Sequence, residues 1–103
     1  AAVELRAGAA EAPGGRGGAR LVGGCEALGA WQPEAGVELT RPTEDSPVWR
    51  AEIELPLGVE GFEFKFVLVA DDGSVRWEAF NGNRRVSLVG NAVTRISADF
   101  GRM

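Results

Sequence analysis

Hydrophobic and polar residues alternate along this chain in short runs, and Gly, Pro, Asn and Asp break the runs apart. Val3, Leu5 and Ala7 alternate with Glu4 and Arg6, which predicts a first strand. Gly8 to Gly18 is rich in Gly, Ala and Pro and reads as a loop. Arg20 to Gly23 predicts a second strand. Gly24 to Gly36 has no strand period, carries Trp31, and allows one helical turn around Glu26 to Leu28. Such an excursion is a surface segment of the kind that carries function. Val37 to Thr40 predicts a brief strand before the polar turn Arg41 to Pro47. In Val48 to Leu55, Trp49, Ala51, Ile53 and Leu55 share one face, and Arg50, Glu52 and Glu54 share the other. Trp49 is therefore expected in the core.

Pro56 to Gly61 turns the chain into its longest strand, Phe62 to Ala70. Phe62, Phe64, Phe66 and Leu68 face one way, and Glu63, Lys65, Val67 and Val69 face the other. The phenylalanines belong to the core. Asp71-Asp72-Gly73 is a hairpin signal whose length decides which residues meet. A three-residue loop with Gly73 left-handed pairs Ala70 with Ser74 and puts Lys65, Val67, Val69, Val75 and Trp77 on one face. A two-residue loop would instead place Trp77 among the phenylalanines. The longer loop is favoured because it keeps Lys65 and Trp77 together outside the core. Asn81-Gly82-Asn83 makes another turn, followed by strands near Arg84 to Val89 and Ala92 to Ala98. Seven or so short strands without a convincing helix predict an all-β, antiparallel, immunoglobulin-like β-sandwich. Residues 1–103 form a single domain of ordinary size.

Composition narrows the chemistry. The net charge is -4 and no basic stripe is present, so nucleic acid is a poor partner. No apolar run approaches the ~20 residues that span a bilayer, so no membrane partner is expected. Histidine is absent, and with it the commonest general base and zinc ligand. The single Cys25 forms no internal disulfide and no cysteine metal cluster. No cofactor and no metal are expected. Ten arginines stand against one lysine, Lys65, which gives that lysine weight. Flat aromatic surfaces with hydrogen-bonding groups between them are what holds a sugar ring, and Trp31, Lys65 and Trp77 are such a set.

The ordered segments Leu21-Val22-Gly23, Leu28-Gly29-Ala30-Trp31, Trp49, Phe62-Glu63-Phe64-Lys65-Phe66, Asp72-Gly73-Ser74, Trp77-Glu78 and Asn83-Arg84 resemble carbohydrate-binding module family 20, the starch-binding domain. The resemblance runs over nearly the whole chain. It implies a β-sandwich that binds starch, amylose, malto-oligosaccharides and cyclodextrin without cleaving them, as part of a larger protein. It also implies a first sugar site at Trp31, Lys65, Trp77, Glu78 and Asn83. The family's second site uses aromatics where this chain has Arg20 and Thr43-Glu44-Asp45-Ser46, and there is no tyrosine anywhere. The second site is therefore expected to be lost or weak. Ala79-Phe80-Asn81-Gly82 is one residue longer than the family's pattern: either Phe80 adds a wall to the site, or the loop shifts Asn83 out of reach.

Two indoles set at an angle suit a coiled α-glucan, and tryptophan loses few rotamers on binding. Lys65 offers three donors, Glu78 an acceptor and Asn83 both, which together meet the needs of a diol. Two rival functions remain. An enzyme would need a carboxylate pair from Glu52, Glu54, Glu63 and Glu78, but a domain this small seldom forms a catalytic cleft. A protein-binding sandwich would use Trp31 and Trp77, or the surface around Arg20 and Glu44, as an interface. The free cysteine and the Ala-, Gly- and Arg-rich composition suggest a plastid or starch-granule setting, with secretion as the alternative.

Overall fold

The computed structural model describes residues 2–7, 18–43, 46–53, 61–70, 72–79, 82–87 and 95–101. Among them eight strands follow in order: β1 Ala2–Arg6, β2 Gly18–Gly23, β3 Val37–Leu39, β4 Val48–Glu52, β5 Gly61–Val69, β6 Val75–Trp77, β7 Arg84–Ser87 and β8 Arg95–Asp99. Single 3-10 turns at Glu26–Leu28 and Pro33–Ala35 are the helical content of the described residues. The predicted loop at 8–17, the turn at 56–60, Glu44, Asp45, Glu54, Leu55, Phe80, Asn81 and residues 88–94 lie outside the described residues.

The strands form two sheets. One has three strands in the order β4-β1-β8; the other has the order β3-β2-β5-β6, with β7 also paired to β5. The all-β sandwich is as expected, with eight strands among the described residues where seven or so were expected. One pairing departs from the otherwise antiparallel pattern: β1 and β8 run parallel, with Val3 opposite Ile96. Alternation marks a strand but not its partner, and a parallel partner must come from a distant crossover. The sheets join where Thr40 and Arg50 exchange both backbone hydrogen bonds, at 2.8 and 2.7 Å.

The core lies between the sheets. Val3, Leu5, Trp49, Ile53 and Ile96 meet Ala19, Leu21, Leu39, Phe62, Phe64, Phe66 and Leu68. Trp49 is only 2% exposed, opposite Leu5 in the β1–β4 register. Phe64 and Phe66 meet edge to face at 5.5 Å, a preferred aromatic geometry.

The hairpin takes the three-residue loop. Ala70 N–H donates to the Ser74 carbonyl at 2.9 Å, Gly73 has φ 86, and Val67 faces Trp77. This register puts Trp77 on the outer face of the five-stranded sheet. That face is not uniformly wet, however: Val22 and Val67 on it are fully buried. The Gly24 to Gly36 excursion folds back over this part of the sheet, with the Gly36 backbone close against Val22. Local alternation does not reveal such a roof, so Val67 reads as solvent-facing in sequence and is not.

Candidate functional site

Directly opposed residues of an antiparallel pair share a face, and so do alternate residues of one strand. Lys65 faces Val22, Val67 faces Arg20 on one side and Trp77 on the other. Lys65, Arg20 and Trp77 therefore stand on one surface. Among the described residues, Trp77 at 38% and Val75 at 39% are the exposed large hydrophobics. Lys65 Nζ donates to the Glu78 backbone carbonyl at 3.4 Å, which holds the ammonium beside the residue that follows Trp77.

Trp31 reaches the same surface from the excursion. The chain leaves Gly23, makes the turn at Glu26–Leu28, and returns so that Trp31 N–H donates to the Gly23 carbonyl at 2.9 Å. Gly29, Ala30 and Trp31 are all left-handed, with φ 87, 48 and 66. A side chain at Gly29 is excluded twice, by this φ and by the Ala35 backbone 2.7 Å from where a Cβ would lie. Each left-handed L-residue costs about 1–2 kcal/mol. The turn is held by Leu28 and Ala30 N–H, both donating to the Cys25 carbonyl, and Leu28 is buried in the core. The result is a half-buried indole lying over Gly24, where a Cβ would be 3.2 Å from Trp31 Nε1. Gly24 N–H bonds the Glu63 carbonyl, so the β2–β5 ladder continues beneath the indole.

Asn83 is exposed and directly precedes Arg84, which pairs with Phe64. Continuing that register sets Asn83 opposite Lys65. Trp31, Lys65, Trp77 and Asn83 thus stand on one face of the sheet.

Glu78 is different, and its expected role as a surface acceptor is corrected here. It follows outward-facing Trp77, so its side chain points inward and is fully buried. Oε1 accepts from Phe66 N–H at 2.8 Å and from Arg84 Nε at 2.9 Å. Oε2 accepts from Arg84 Nη2 at 2.6 Å and from Gly101 N–H at 2.7 Å. Four donors fill the roughly four acceptor positions of a carboxylate. The side chain is therefore absent from the face that carries Trp77, where Glu78 presents its backbone carbonyl to Lys65. Arg84, quoted in the family motif but given no role, is the residue that sequence reasoning missed. The signal was available in strand parity: an inward carboxylate needs a buried cation.

Where the family's second site would lie, Arg20 Nη1 donates to the Gly36 carbonyl at 3.4 Å. A shallow cleft of about 300 Å³ beside it is lined by Arg20, Pro33, Glu34, Val69, Gly73 and Val75, with no aromatic. A concavity of about 450 Å³ among Glu4, Arg50, Glu52 and Arg95, on the three-stranded sheet, also lacks an aromatic wall. No group of three or more potential metal ligands occurs among the described residues.

An all-β sandwich presenting indoles beside a lysine on one sheet face has the architecture of a carbohydrate-binding module. A family model described as the starch binding domain matches residues 19–97, and the chain belongs to that family. The family 20 module of a maltotetraose-forming amylase from Pseudomonas saccharophila superposes with a TM-score of 0.68 at 31% identity, covering 97% of this chain and 100% of that one. A family 15 glucoamylase from Hypocrea jecorina gives a TM-score of 0.76 at 24% identity, covering 98% of this chain and 17% of that one; this shows a shared fold. A glucoamylase of Neurospora crassa is 43% identical over 61 residues, which is 57% of this chain and 10% of that protein. The chain thus matches a small part of a much longer relative.

Proposed function

We propose that Trp31, Lys65, Trp77 and Asn83 form one working site for α-1,4-glucan, with amylose, malto-oligosaccharides and cyclodextrin as its soluble ligands. The observation that carries this reading is the exposed Trp77 indole on the same sheet face as Lys65, beside a Trp31 held in a costly backbone conformation. Strain of that kind persists where the surrounding structure serves a function. Indole faces meet the C–H faces of the sugar, Lys65 and Asn83 meet its hydroxyls, and the Glu78 backbone carbonyl holds Lys65 in place. Glu78 supports the site from behind.

The domain acts by binding alone and serves to bring a larger protein to starch. Glu63 and Glu52 stand on exposed strand positions, and the Glu78 carboxylate has no acceptor position left for chemistry. A reducing-sugar assay on soluble starch should show no release. One site of this kind fits a dissociation constant of roughly 10 µM to 1 mM, which granular starch would tighten through many adjacent sites.

Calorimetric titration of β-cyclodextrin into wild type, Trp31→Ala and Trp77→Ala tests the assignment, with folding followed by circular dichroism. Binding by wild type that is lost in both folded variants is the expected result. No heat from wild type at millimolar sugar would sink the glucan reading and leave a protein-binding sandwich as the better account.

A further inference from the structure

The open edge of β5 has two tenants. β6 covers Val67 to Val69 and β7 covers Gly61 to Phe64, leaving Lys65 and Phe66 between them, of which Phe66 turns its N–H and C=O to this edge. At that gap, among the described residues, Glu78 completes the backbone ladder. Its N–H donates to the Phe66 carbonyl at 3.3 Å, and its side chain accepts the Phe66 N–H that a neighbouring strand would otherwise take. Arg84, the first residue of β7, then forks onto both carboxylate oxygens and adds a third bond to the Asp99 carbonyl at 2.8 Å. Asp99 belongs to β8 in the other sheet, and Gly101 N–H closes onto the same carboxylate. The ends of β6 and β7 are therefore tied to each other and to the opposite sheet at one buried point.

Each residue of this tie sits one position after a displayed residue: Glu78 follows Trp77, and Arg84 follows Asn83. Strand parity turns the tie inward and the displayed pair outward. We propose that Arg84 is a positioning residue of the sugar site: through its fork onto Glu78 it fixes the spacing of Trp77 and Asn83 across Lys65. This rests on the glucan reading of that face. A bidentate guanidinium–carboxylate pair has one geometry, so the indole and the amide are held in place before the sugar arrives. Without it, binding must also bring Trp77 and Asn83 into place, and affinity falls although no contacting atom has been removed.

The test compares Arg84→Ala and Arg84→Lys with Arg50→Ala, an exposed arginine that pairs with Glu4 on the other sheet. Each is titrated with β-cyclodextrin at a temperature where circular dichroism shows it fully folded. Nitrogen-15 spectra follow the Trp77 indole and the Asn83 side-chain amide without sugar. Loss of the fork should weaken β-cyclodextrin binding about tenfold in Arg84→Ala, equivalent to about 1.4 kcal/mol. Arg84→Lys should fall between, since an ammonium keeps the charge but not the fork. Arg50→Ala should bind as wild type does. The Trp77 and Asn83 signals should shift or broaden in both Arg84 variants. A folded Arg84→Ala that binds with wild-type affinity overturns the proposal, whatever its melting temperature. Should Arg84→Ala not fold, wild-type affinity in Arg84→Lys does the same. Should wild type itself not bind, the glucan reading fails separately, and unmoved Trp77 and Asn83 signals in the Arg84 variants then overturn the clamp.

Discussion

Trp49 and Trp77 are the same residue on strands of the same alternating kind, yet they have opposite fates. Trp49 is buried opposite Leu5, with the Arg41 guanidinium 4.1 Å from its ring centre and no hydrogen-bond partner for Nε1. Trp77, opposite Val67, remains 38% exposed. Trp49 points into the space between the sheets, where its area leaves water and contributes to folding. Trp77 points away from that space, and its uncovered face is available to a ligand. The orphaned Nε1 of Trp49 costs about 1–3 kcal/mol, which large apolar burial and the overlying guanidinium offset. Residue type therefore says little here; the side of the sheet, and whether the Gly24 to Gly36 excursion covers it, decide.

The largest expected effect breaks this comparison at its buried end. Trp49→Ala should destabilise the domain by about 3–5 kcal/mol, the range for emptying a buried aromatic site. That is a large share of the ~5–15 kcal/mol that holds a typical domain together. Trp77→Ala should cost clearly less than Trp49→Ala, since more than a third of Trp77 stays in water after folding whereas Trp49 is almost wholly buried. Urea denaturation of the two variants side by side measures both. Equal losses would mean that Trp77 is a structural residue and that the contrast drawn here is false.

Much of this arrangement was legible in the sequence. The Phe62, Phe64, Phe66 and Leu68 face, the burial of Trp49 and the three-residue hairpin follow from period-two alternation and turn chemistry, which are local. The parallel β1–β8 pair was not legible, because its two strands are separated by nearly the whole chain. The left-handed Trp31 was not legible either, because an aromatic residue gives no sign that it will adopt a positive φ. Glu78 was readable and was read otherwise: parity with Trp77 sends its side chain inward, whereas the resemblance to the family suggested a surface acceptor. The elements were thus plain in the sequence, and the long-range partners that give each site residue its role were not.

Glu78→Gln sharpens the comparison with a polar inward residue. The change keeps the shape but replaces one oxygen, which accepts two bonds, with an amide that donates. Donors would then face donors, and Arg84 would lose part of its buried partner. A loss of about 2–4 kcal/mol is expected, below that of Trp49→Ala, from unsatisfied buried groups and a broken buried pair. The same denaturation experiment reads it. A neutral substitution would show that this carboxylate is not the junction of the two sheets and would return it to the list of surface groups.

Asp72 supplies the lower end of the scale, because it stands at the hairpin tip and belongs to neither face. Its Oδ1 accepts from Ser74 Oγ at 2.6 Å and from Ser74 N–H at 2.9 Å. The Ser74 hydroxyl first, and then the Ser74 backbone, hold its carboxyl below the ordinary value of 3.8. A folded-state value lower than the unfolded one means stability that is present above the unfolded value and lost as pH falls through the folded one. Asp72→Asn keeps an acceptor for Ser74 but removes the charge, so at neutral pH it should melt slightly below wild type. That is the smallest effect of the three, because the group is fully exposed and well screened. In acid well below the ordinary carboxylate range the difference should vanish, since wild type is then protonated as well. Melts at the two pH values check this, and a gap that widened in acid would contradict the assigned sign.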